Sequence, residues 1–163
     1  MFVDFANACA ACRAFSQVAA HADSQLLAWV LMPDHVHWLL RLGEEPLGRA
    51  VARMKSAVTR DLCGSGDTPR RIWSPAFHDR AIRREEDLRA AARYVVANPL
   101  RAGLCDALAE YPFWDAVWLG EKHGEAGIRG KAPSRASALL HGAVRLFLSV
   151  SFARERTTAL RPM

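Results

Sequence analysis

Apolar positions along the chain change period several times, and each change predicts an element. Over residues 2–22 they recur at helical spacing, with Phe5, Cys9, Cys12 and Phe15 three or four apart. Asp23-Ser24 breaks that pattern. Residues 25–32 (QLLAWVLM) form a short, almost wholly apolar run closed by Pro33, as expected of a buried strand. Pro33-Asp34 makes a tight turn and residues 35–42 (HVHWLLRL) a second strand, so the two predict a hairpin. Leu47, Val51, Met54, Val58 and Leu62 then mark an amphipathic helix with Arg49, Arg53 and Arg60 off its apolar stripe.

Residues 64–69 (GSGDTP) read as a connection. Residues 72–82 (IWSPAFHDRAI) suit a strand, with Pro75 confining its pairing to one side or to a bulge. Glu85-Glu86-Asp87 places acids where a helix dipole favours them, and that helix runs through Leu88, Ala91, Ala92, Val95 and Val96 to Asn98. Pro99 disfavours helical geometry at Asn98, so the helix ends or bends there. Residues 111–119 (YPFWDAVWL) form an aromatic cluster for the core. Beyond Gly120 the pattern weakens, although residues 138–152 suit one more apolar helix.

Charge adds a second layer. Residues 1–119 carry 14 basic and 14 acidic side chains, and residues 120–163 carry 8 against 3, which accounts for the net +5. Residues 41–101 hold 13 basic and 8 acidic side chains, so the middle and the tail are basic. Of the 22 basic residues 19 are Arg, the side chain best shaped for bidentate contact with phosphate. A polyanion partner fits this distribution, and so does an Arg-rich and Ala-rich composition set by the genome. No uninterrupted apolar run reaches the roughly 18 residues of a spanning helix. No basic stretch precedes an apolar one at the start, and the four cysteines are too few and too irregular for a disulfide scaffold. A reduced cytoplasmic compartment is expected.

Two groups of residues have chemistry in them. His35 and His37 sit at i and i+2 of a strand, so both imidazoles project to one face. That suits half of a metal site, and more often a pair of partly buried histidines bonded to backbone or water. Tyr94 and Asn98 share a helix face at i and i+4. A phenol can attack phosphorus and an amide oxygen can ligate a hard cation, but a core aromatic and a cap before proline fit the same positions. Cys9 and Cys12 have metal-ligand spacing without a second pair. His78-Asp79 suits either a pair near a metal or a polar strand end, and His21, His123 and His141 read as surface residues.

Four strings together resemble a known family. Residues 32–40 (MPDHVHWLL) are similar to the His-hydrophobic-His motif of single-tyrosine HUH transposases. Residues 72–88 (IWSPAFHDRAIRREEDL), 93–104 (RYVVANPLRAGL) and 111–118 (YPFWDAVW) resemble, in order, the motifs of one branch, the REP-associated tyrosine transposases, which act on repetitive extragenic palindromes. The likeness covers roughly residues 1–119, and residues 120–163 read as an unassigned basic tail without structure.

The resemblance implies an α+β fold, a ferredoxin-like HUH sheet with helices packed on one side. It implies that His35, His37 and Asn98 bind Mg²⁺ or Mn²⁺ and that Tyr94 attacks single-stranded or hairpin DNA. The product is a 5′-phosphotyrosine link and a free 3′-hydroxyl, and the step can rejoin strands. Arg49, Arg53, Lys55 and Arg60 would then track the DNA backbone, and Trp38, Trp73 and Phe77 stack on bases. A monomer or homodimer at the nucleoid is implied. The family's usual first strand, with a Tyr-x-x-Thr-like run beside the histidine strand, has no counterpart ahead of residue 1. A misassigned start, a decayed copy or another segment in its place would each account for that. The alternatives in function are an inactive hairpin-binding remnant and a His-x-His metallohydrolase.

Overall fold

The computed structural model describes residues 4–20, 23–63, 72–82, 85–118 and 145–152. Two helices, α1 (Phe5–Ala20) and α2 (Leu47–Cys63), flank a hairpin of β1 (Gln25–Leu31) and β2 (His35–Arg41). β3 (His78–Ile82), α3 (Glu85–Val96) and the single-turn α4 (Asn98–Arg101) follow. A 3-10 turn at Leu108–Glu110, β4 (Trp114–Ala116) and β5 (Arg145–Ser151) complete the described elements. The fold is α+β. Its five strands form one antiparallel sheet in the order β3-β5-β2-β1-β4.

The hairpin forms where the sequence places it. Pro33 and Asp34 make the loop, and the Met32 N–H donates to the His35 carbonyl at 2.8 Å to close it. Leu31 pairs with Val36, Val30 with His37 and Trp29 with Trp38. Strand alternation then divides the core. Val36, Trp38 and Leu40 face one way, against Ala11 and Phe15 of α1 and Val51, Met54 and Val58 of α2. Leu39 and Val30 face the other way, against Leu88, Ala92, Val95 and Val96 of α3. The helices α1 and α2 thus pack together on one side, and α3 lies across the opposite face, the one to which His35 and His37 belong.

β5 lies between β2 and β3 in the sheet. It runs antiparallel to β2 from His35↔Ser151 to Arg41↔Arg145, and to β3 from His78↔Ser149 to Ile82↔Arg145. The helix expected over residues 138–152 is therefore a strand across Arg145–Ser151. The expectation of an unstructured tail is corrected there too. The physical reason is long-range: β1 satisfies one edge of β2, and the N–H and C=O groups of the other edge need a partner. Val150 is fully buried on the α1–α2 side, in register with Val36.

β3 is also shorter than the run 72–82 suggests. Trp73 makes only an isolated bridge to Phe152, and the continuous strand starts at His78, beyond Pro75. His21, His123 and His141, and the connection 64–69, lie outside the described residues.

Candidate active site

His35 and His37 converge. Their Nε2 atoms lie 2.9 Å apart, with the rings nearly perpendicular at 84°. His35 Nδ1 is 2.6 Å from Asp34 Oδ1, so the exposed carboxylate at the turn takes the Nδ1–H and leaves the Nε2 lone pair aimed at the neighbouring ring. His37 is 8% exposed. The turn itself is pinned by β5, since the Phe152 N–H donates to the Asp34 carbonyl at 2.9 Å. The segment at the far end of the sequence thus holds the loop that orients His35.

α3 buries Leu88, Ala92, Val95 and Val96 and turns Tyr94 outward, 46% exposed. Tyr94 is therefore not a core aromatic. The chain has two tyrosines, and the other is committed elsewhere. Tyr111 donates its hydroxyl to the Leu31 carbonyl at 2.6 Å. Burial, with the Cys12 and Cys105 thiols nearby, pushes its phenol up to about 12.

Asn98 sits at the junction of α3 and α4. Pro99 has no N–H to offer the Val95 carbonyl four residues back. The Asn98 amide supplies the missing donor, with Nδ2 2.9 Å from Val95 O and 3.0 Å from Tyr94 O. Two carbonyls facing one end of the amide fix which end is nitrogen, and Oδ1 points away from the helix end. Helical hydrogen bonding resumes with Arg101 N to Ala97 O at 3.1 Å and ends around Gly103, whose φ of 67° lies in the left-handed region that favours glycine. Arg101 returns to Tyr94: its Cζ lies 4.1 Å from the ring centroid.

The residues expected to meet DNA are placed differently. Trp38 is fully buried between Phe15 and Trp73 and has no face for a base. This corrects its assignment, and the reason is parity: it alternates with the histidines on β2 and points to the other side of the sheet. Trp73 packs on Phe152 with centroids 4.5 Å apart and donates Nε1–H to Lys55 O at 2.9 Å and to Thr59 Oγ1 at 3.1 Å. Lys55 donates to the Ser74 carbonyl at 3.0 Å, lies over Trp73 and Phe77, and is pushed down by burial. Arg53 pairs with Glu45 and donates to Ser24 Oγ at 3.1 Å. These four build the α2 layer, and only Arg49 and Arg60 of the expected set stay exposed. All of α2 packs on the sheet face opposite His37.

Among the described residues no cluster of three or more His, Cys, Asp or Glu side chains gathers as a metal site. Cys12 is buried in the core and its thiol is pushed far up by that burial, so Cys12 offers no thiolate to a metal. The possible metal donors that the structure brings together are the two imidazoles, one of them oriented by Asp34.

No family model matches the chain, and no solved structure matches it. Two curated proteins do. A REP-associated tyrosine transposase of Escherichia coli (strain K12) is 31% identical over 91 residues, which is 55% of this chain and 52% of that protein. A Haemophilus influenzae protein described as a candidate of the same kind is 28% identical over 111 residues, 61% of this chain and 63% of that protein. The chain is a relative of the REP-associated tyrosine transposases. It matches between half and two thirds of the length of these relatives. Among the described residues no helix is long and apolar enough to cross a membrane.

Proposed function

We propose that this chain cleaves and rejoins single-stranded DNA through Tyr94. The observation that carries the reading is the pair of Nε2 atoms 2.9 Å apart on the sheet face that α3 covers, with α3 exposing Tyr94 while Tyr111 donates its hydroxyl to the backbone of β1.

The bond changes balance without a redox partner. Tyr94 Oη forms a bond to phosphorus and loses its proton, and the bond from phosphorus to the 3′-oxygen breaks. That oxygen takes up a proton to become a 3′-hydroxyl. One phosphodiester replaces another, so the reverse attack by a 3′-hydroxyl rejoins strands. His35, His37 and the Asn98 oxygen would hold a divalent cation, Mg²⁺ or Mn²⁺ by resemblance to the family. When bound, such an ion supplies charge stabilisation at a phosphate oxygen. Asp34 keeps His35 in the tautomer with Nε2 unprotonated, and Asn98 keeps its oxygen outward by spending its nitrogen on the helix end. The reading extends to hairpins of repetitive extragenic palindromes as the target and to work at the nucleoid, as a monomer or homodimer.

A denaturing gel tests it. The chain is incubated with labelled single-stranded hairpin DNA and Mn²⁺, beside Tyr94→Phe and beside a chelator. A labelled band at the mass of protein plus DNA, absent in both controls, is expected. An adduct that persists in Tyr94→Phe would overturn the reading. Cleavage without any adduct would favour a metallohydrolase, and binding without cleavage a hairpin-binding remnant.

A further inference from the structure

Arg101 bears on the same residue from a second element. Its guanidinium carbon is 4.1 Å from the Tyr94 ring centroid, too close for an approach past the ring edge, so the cation sits over the ring face. The spacing Tyr94, Asn98, Arg101 follows one face of the helix as it continues through the Pro99 junction, which is why the long side chain folds back over the phenol. Both residues are exposed. Among the described residues the Arg101 side chain makes no ion pair and no hydrogen bond, so its N–H edge is uncommitted while its face is occupied.

We propose that Arg101 positions Tyr94 and binds the phosphate that Tyr94 attacks, an inference that rests on the proposed role of Tyr94. A guanidinium has both surfaces needed. Its flat face lies on an exposed phenol and narrows the rotamers that the ring can adopt. Its edge presents several N–H donors, arranged to take two oxygens of a phosphate at once. Lysine lacks the planar face and the fork, so charge alone does not replace it. A phosphate bonded to Tyr94 Oη or about to be lies beside the ring that the guanidinium covers, and Arg101 serves the attack and its reversal alike.

The test compares adduct formation by the wild-type chain, Arg101→Ala and Arg101→Lys on single-stranded DNA with Mn²⁺, with methylguanidinium added back to each. The expected rate for Arg101→Ala falls by roughly 100-fold, the scale of losing one charge-stabilising donor. Its thermal midpoint stays at the wild-type value, because the side chain is exposed. Methylguanidinium restores part of the rate in Arg101→Ala and leaves the wild type unchanged, a response that a structural role would not give. Arg101→Lys recovers little. If the wild type forms the Tyr94 adduct and Arg101→Ala matches its rate, the inference about Arg101 is wrong and the role of Tyr94 stands. If the wild type forms no adduct, both fall together.

Discussion

The amide of Asn98 donates to the carbonyl of Val95, the acceptor that Pro99 leaves without its helical partner. One side chain thereby joins two helices and sets which atom it shows to the outside. Asn98→Asp would set a carboxylate oxygen against two carbonyls, and thermal or denaturant unfolding should show a loss of about 1–3 kcal/mol. Pro99→Ala restores a backbone donor for Val95, so the cost of removing the Asn98 amide should shrink in that background. Equal cost in both backgrounds, measured as a double-mutant cycle, would contradict this account of the junction.

The C-terminal strand is a structural partner of the histidine strand and of β3. Val150→Asp places a charge in the core beside Val36 and should unfold the chain outright or cost several kcal/mol. Ending the chain after residue 144 should have the same effect and should release the Asp34 turn from Phe152. Circular dichroism of both variants checks this, and native spectra with native melting would refute it.

Tyr111 gives the protein a response to alkali. Its phenol is raised by burial from an ordinary value near 10 to about 12, so the folded form holds the proton more tightly than the unfolded form does. The stability it contributes is complete below pH 10 and is lost as the pH rises through about 12. Thermal melts across that window should decline more steeply for the wild type than for Tyr111→Phe, and parallel curves would show that the phenol is not involved.

The basic residues of α2 and the histidines lie on opposite sides of the sheet. Arg49→Ala with Arg60→Ala should leave the rate of adduct formation within roughly twofold of wild type, although weak overall DNA affinity falls and its salt dependence lessens. Trp38→Ala should cost about 3–5 kcal/mol of stability, as expected of a buried tryptophan, and should not act as a DNA-contact variant. A selective loss of cleavage in the Arg pair, with stability intact, would place the substrate on the α2 side instead.

These corrections show where the sequence was legible. The hairpin, α2 and α3 were readable because their patterns are local: a Pro-Asp turn between apolar runs, and apolar residues three or four apart. Trp38 could have been assigned from the same pattern, since it has opposite parity to His35 and His37 and shares that parity with Val36 and Leu40. The geometry that uses Arg101 was partly visible as the spacing from Tyr94 through Asn98, but the fold-back depends on the helix continuing past Pro99. β5 was not legible. An apolar run such as RLFLSVS suits a helix or a strand equally, and only the open edge of β2, more than a hundred residues earlier, decides between them.

The central claim is that Tyr94 takes the DNA phosphate onto its own oxygen, and the direct measurement is peptide mapping by mass spectrometry. The chain is incubated with single-stranded hairpin DNA and Mn²⁺, then digested with nuclease and protease. The account predicts a nucleotide mass on the peptide that contains Tyr94 and none on the peptide that contains Tyr111. Attachment at Tyr111 or at any other residue, or cleaved DNA with no modified peptide, would contradict it.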